Sequence, residues 1–98
     1  MLAFLTEFIG SFVFIASVLI SNAYYPVEFR PIIIALTLLA MIYFGNYISG
    51  GHYNPVISTM MFIKGELNIG NYIGFIVSQI FGGLIALLWF QHAMKIKK

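Results

Sequence analysis

Ser49-Gly50-Gly51-His52-Tyr53-Asn54-Pro55-Val56-Ile57-Ser58 is a polar, glycine-rich stretch set between strongly apolar segments. Its residue order describes the opening of a helix. Asn54 has the short polar side chain that caps a helix N-terminus, and Pro55 suits the first helical position, where no N–H is needed. A helix from Pro55 to Ile63 is about nine residues or roughly 14 Å long, half of a hydrocarbon core about 30 Å thick. The stretch therefore reads as a re-entrant segment: irregular backbone descends to a bilayer midplane and a short helix climbs back out. Such backbone survives at membrane depth only where it is buried in protein or lines a water-filled cavity. Gly50 and Gly51 allow the close backbone passage this requires.

The remainder of the chain suits a membrane setting. Of its 98 residues, 61% are hydrophobic and only 8% charged, and the mean hydropathy is +0.98. A soluble domain carries about 25% charged residues. There is no cysteine, hence no disulfide framework or thiolate metal site, and the net charge of +2 is too small and dispersed for nucleic-acid binding. The opening Met1-Leu2-Ala3-Phe4 lacks a basic stretch, so no cleaved signal peptide is expected. No paired carboxylates, no nucleophile beside a base and no metal cluster stand out, so neither a reaction nor a cofactor is expected. Residues 1–98 read as one membrane domain, too short for a complete transporter, which implies oligomerisation.

Taken in order, the expected fold is all-α, with three transmembrane helices at about 2–20, 31–48 and 72–90 and a re-entrant loop and half-helix at about 49–64. Each long segment is long enough to span. Glu7 is the lone charge in the first, and an intramembrane carboxylate costs roughly 2.5–3.5 kcal/mol on insertion scales, so it requires a partner. A structural role for Glu7 is preferred, with a proton-coupled carboxylate as the rival. Gly10, Ser11 and Ser17 offer close-packing surface. Residues 21–29 read as a loop, with Tyr24, Tyr25 and Pro26 suited to an interface. Pro31 opens the second span, and Gly45 and Asn46 prepare its turn. Lys64 and Gly65 end the half-helix, a cation near the C-terminus followed by a C′ glycine. Asn68 or Asn71 caps the third span. Gly74, Ser78 and Gly82 fall on one face at i, i+4 and i+8, Gln79 is the strongly polar interior side chain, and Trp89 is an interfacial anchor. His52 is expected to satisfy backbone carbonyls rather than sense pH. Tyr43 and Tyr47 suit either a vestibule or interhelical hydrogen bonds.

Three segments in order resemble the aquaporin and glycerol-facilitator family. Gly50-Gly51-His52-Tyr53-Asn54-Pro55-Val56 is similar to its first Asn-Pro-Ala box, with Val56 in place of alanine. Thr6-Glu7-Phe8-Ile9-Gly10-Ser11-Phe12 resembles its first helix, and Tyr72 to Gly83, with Gln79, its third. The resemblance covers the whole chain but only one of the two inverted halves that make up a family member, and no internal repeat is present.

The resemblance implies a passive channel for water or small uncharged solutes in a lipid bilayer. In the family two half-helices meet at the midplane, each asparagine capping its own helix and turning its amide N–H groups to the pore. The positive helix ends disfavour cations there. One chain supplies one half-helix, so an inverted homodimer is expected, and an octamer if four pores group together. Carried over by position, the constriction falls on Ile34, Ile42, Gly51 and Ile57, with Ile57 where the family places an arginine. Glu7, His52 and Gln79 brace the loop. Arg30, Lys95, Lys97 and Lys98 against Lys64 favour a cytoplasmic C-terminus, and a dual-topology protein calls for a weaker bias. The rivals are a small proton-coupled transporter using Glu7 and a non-conducting subunit of a full-length aquaporin.

Overall fold

A computed structural model describes residues 1–94. Lys95, Lys97 and Lys98, which weigh most in the orientation expectation, lie outside the described residues. The described chain is helical: α1 Leu2–Tyr24, α2 Arg30–Gly45, α3 Pro55–Lys64 and α4 Ile69–Ala93. Helices α1 and α4 are long and apolar enough to cross a membrane, while α2 and α3 are shorter apolar helices.

The helix boundaries differ from the sequence reading for local reasons. α1 runs on through residues read as loop; the Ser21 hydroxyl bonds the Val18 carbonyl inside the helix, and the chain turns only at Tyr25, which is extended. α2 stops at Gly45 rather than residue 48. The Gly45 carbonyl accepts from the N–H groups of Ile48, Ser49 and Gly50 at 3.0, 2.9 and 3.3 Å, which winds the chain into a turn. α4 begins three residues earlier than expected, where the Asn68 side chain caps it by accepting from Asn71 N–H at 2.7 Å.

α1 packs on both α2 and α4, and α3 packs on α4. α1 and α4 run parallel: the Phe4 ring meets Phe75 edge-on at one end, and Tyr24 meets Phe90 at the other. α3 runs back against α4. Ser58 in its first turn bonds Gln79, ten residues into the 25-residue α4, whereas Phe62 near its end stacks on Tyr72 at 4.5 Å. The half-helix thus opens roughly 15 Å along α4 and returns to the end where α4 begins.

Burial is the reverse of that in a water-soluble domain. Among the described residues the buried apolar side chains are Ala16, Tyr53, Phe75 and Ala86, while Thr6, Glu7, Ser11, Ser21, Ser58 and Gln79 are all buried. Large apolar side chains, among them Leu36, Ile73 and Phe81, point outward. A surface so apolar around a polar interior is what a hydrocarbon solvent selects.

The α1–α4 contact depends on Gly82. A Cβ there would lie 2.5 Å from the Phe8 carbonyl oxygen and 3.1 Å from Phe12 N, backbone atoms that cannot swing aside. Gly82→Ala should therefore force the helices apart and destabilise the fold by about 1–3 kcal/mol. Gly83→Ala, whose Cβ meets only Ile15 Cγ1 at 3.7 Å, should be tolerated. Denaturant unfolding of both variants in detergent tests this, and equal effects would refute the close-crossing argument.

Candidate functional site: a carboxylate-braced loop at the half-helix tip

Residues 46–54 carry no helix and must find hydrogen-bond partners elsewhere. The first part of the segment uses carbonyls at the end of α2, and Glu7, fully buried on α1, takes the N–H groups of His52 and Tyr53. Its Oε1 accepts from Tyr53 N–H at 2.8 Å and Gln79 Nε2 at 2.9 Å. Its Oε2 accepts from the Ser49 hydroxyl at 2.6 Å and His52 N–H at 3.0 Å. A carboxylate deprived of water is thus compensated by four donors rather than by a cation.

The network continues into the half-helix. Gln79 Nε2 gives its second hydrogen to Ser58 Oγ at 2.8 Å, and Ser58 Oγ lies 2.8 Å from His52 Nδ1. The His52 ring also meets Phe75 edge-on at 5.1 Å. His52 is therefore held by a serine and an aromatic ring, not by backbone carbonyls as its loop position suggested. Loop, half-helix, α1 and α4 meet in one cluster.

Tyr53 is the wedge of this arrangement. Its φ of +52° is left-handed, a conformation that costs a non-glycine residue roughly 1–2 kcal/mol. Several contacts hold it there: the N–H bond to Glu7, a 2.7 Å bond from its hydroxyl to the Met41 carbonyl, and a ring seated where any Cβ on Gly10 or Gly45 would collide with it. The glycines of α1 and α2 are notches for this ring. Gly50 and Gly51 also have positive φ, at +93° and +64°. A Cβ on Gly51 would lie 3.4 Å from the Ile42 backbone, so the loop passes close against α2.

At the tip, Asn54 Oδ1 accepts from Val56 N–H at 2.8 Å, with Pro55 at the first helical position. Capping occupies the amide oxygen, and the Nδ2 of the exposed Asn54 has no hydrogen-bond partner among the described residues. Gly65, at φ +95°, closes the other end of α3. Val56 and Ile57 are exposed, 65% and 41%. Of the four constriction candidates, the structure brings Ile42 and Gly51 together. Ile34 stands eight residues before Ile42 on the same helix, about 12 Å away, so the four do not form a ring within one copy.

Tyr53, Ser49 and Ser58 were not singled out from the sequence. The signal for Ser58 was present: it is a polar residue four positions after the capping Asn54, in the first turn of a mostly apolar helix. Tyr43 and Tyr47 are exposed, with no hydrogen bond among the described residues. No group of three metal-ligating side chains occurs among the described residues.

A model of the Major intrinsic protein family matches residues 1–97. The chain is 33% identical over 85 residues to glycerol uptake facilitator protein-like 6 of Lactiplantibacillus plantarum, a match covering 85% of this chain and 39% of that protein. It is 41% identical over 51 residues to aquaporin Z of Photorhabdus laumondii, covering 52% of this chain and 22% of that protein. The chain thus spans well under half the length of the curated relatives it matches. No solved structure gives a significant match.

Proposed function

The chain belongs to the Major intrinsic protein family, and from that membership we propose that it forms a passive membrane channel for water or small uncharged solutes. The observation that carries this reading is the half-helix tip: Asn54 caps α3 with its oxygen and keeps its amide hydrogens free, at mid-height on α4. In a bilayer this height corresponds to the midplane, and α3 is the re-entrant element. A solute that has lost water partners there meets two amide hydrogens and the positive end of a helix, which disfavours cations.

A pore of the family's kind takes two such tips, and the described chain supplies one. We assign the other to a second, inverted copy, with larger assemblies such as an octamer grouping several pores. Each mouth then takes Ile34 from one copy and Ile42, Gly51 and Ile57 from the other. This ring is aliphatic and lacks a cationic donor, so uncharged solutes are expected to pass it. Glu7 is a bracing residue in this reading rather than a proton carrier. Four hydrogen bonds from the loop and α4 occupy both of its oxygens, the arrangement of a brace.

Stopped-flow shrinkage of proteoliposomes holding only this chain, first against an impermeant osmolyte for water and then with glycerol or urea, tests the proposal. Flux well above that of empty liposomes, independent of a pH gradient, is the expected result. Absence of flux from folded, inserted protein would overturn the homomeric channel.

A further inference from the structure

Among the described helices, α2 packs on α1 and on neither α3 nor α4. Its position relative to the half-helix tip is therefore fixed through α1 and through the loop. Ser49 Oγ reaches the Gly45 carbonyl at 3.4 Å, but Ser49 belongs to the turn that α2 itself runs into. The Tyr53 hydroxyl comes from the other end of the loop, one residue before the capping Asn54, and donates to the Met41 carbonyl at 2.7 Å. That carbonyl belongs to the peptide unit joining Met41 to Ile42, and a helical carbonyl has a second lone pair to give. The Tyr53 side chain is buried, so water does not compete for the bond. On the facing side, a Cβ on Gly51 would lie 3.4 Å from Ile42 Cα, so loop and helix are already in close approach. Contact and hydrogen bond act in opposite senses. The Gly51 backbone stops Ile42 from moving closer, and the Tyr53 hydroxyl stops it from moving away.

We propose that the Tyr53 hydroxyl sets the solute-size limit of the channel, as a positioning residue that tethers the Ile42 turn of α2 to the loop. The inference rests on the two-copy reading of the pore, in which Ile42 and Gly51 of one copy share a mouth, and adds the group that fixes how wide that mouth is. Tyr53 acts through Ile42, because its own ring is enclosed by α1 and α2 at Gly10 and Gly45. Those notches and the N–H bond to Glu7 anchor the loop end of the tether. Phenylalanine at this position keeps the ring, the notches and the bond to Glu7, and loses only the tether. The Ile42 turn is then free in one direction, away from Gly51, and the mouth widens.

In proteoliposomes, Tyr53→Phe should raise the glycerol-to-water flux ratio roughly threefold or more, since a methylene's worth of space in a close-fitting site changes discrimination by about tenfold. The ratio cancels the amount of folded channel, so a merely structural role, which scales both fluxes alike, leaves it unchanged. Ile42→Ala should raise the ratio too, and Tyr53→Phe added to it should change it little further, the coupling expected of two residues that act through one another. A reading independent of flux comes from spin labels. The chain has no cysteine, so Tyr43→Cys in the last turn of α2 and Ile73→Cys on α4, both exposed, carry the labels. With labelled protein diluted in unlabelled protein, Tyr53→Phe should lengthen and broaden the α2–α4 distance. An unchanged distance would overturn the tether, whatever the fluxes, and leave the channel standing. A longer distance with an unchanged flux ratio would overturn the size limit. No flux from the unmodified protein would overturn the channel and the size limit together, and a longer distance in Tyr53→Phe would then keep Tyr53 as the tether of α2 alone.

Discussion

Glu7→Gln should destabilise the fold by about 2–4 kcal/mol and loosen the loop with it. The carboxylate accepts four hydrogen bonds, two on each oxygen. Glutamine keeps one accepting oxygen and turns an NH2 toward the other pair of donors. The least damaging placement puts the NH2 near Ser49, whose hydroxyl can rotate and accept. His52 N–H then faces a donor at burial, and an unsatisfied buried group costs about 1–3 kcal/mol, with charge-assisted bonds lost in addition. Tyr53 loses part of what holds its positive φ, so the effect extends to the wedge between α1 and α2. Denaturant unfolding in detergent gives the stability, and limited proteolysis across residues 46–54 gives the loop. A loss below about 0.5 kcal/mol, the scale of an ordinary surface substitution, would show that the four bonds do not brace the loop. The variant also separates the roles of Glu7. A bracing residue lowers stability and flux together, whereas a proton carrier would abolish pH-driven flux in a protein of unchanged stability.

Asn54→Asp should abolish flux while leaving stability within about 1 kcal/mol. Aspartate is as good an N-cap as asparagine, and a negative charge is favourable at a helix N-terminus. The bond to Val56 N–H therefore survives. The substitution removes the free amide hydrogens and puts a negative charge, which only accepts, in their place. Osmotic shrinkage of liposomes reads the flux, and unfolding in detergent reads the cap. Asn54→Ala makes the opposite cut: it loses the cap, worth about 0.5–2 kcal/mol, as well as the donor. Wild-type flux in a well-folded Asn54→Asp protein would remove Asn54 from the solute path.

Sequence and structure divide the account along a physical line. Asn54-Pro55 at the head of a short apolar helix, Gly65 behind it and long apolar segments on either side are local signals. They act through capping, fixed φ and hydrocarbon length over a few consecutive residues, so the all-helical order and the half-helix were legible from the chain alone. A lone Glu7 in an apolar segment also announced that a partner had to exist, because burial of a carboxylate is costly wherever it occurs. Which partners it takes was not legible. The four donors come from residues 49, 52, 53 and 79, and only the packing of α1, α4 and the loop brings them to two oxygens. Tyr53 is the clearest case. Nothing local favours a tyrosine with positive φ; its conformation is imposed by notches at Gly10 and Gly45, more than forty residues away and eight residues away respectively. By itself the sequence determined the elements and the need to compensate buried polarity. The tertiary structure decided how that need is met, because hydrogen bonds between distant segments depend on distances that no local pattern encodes.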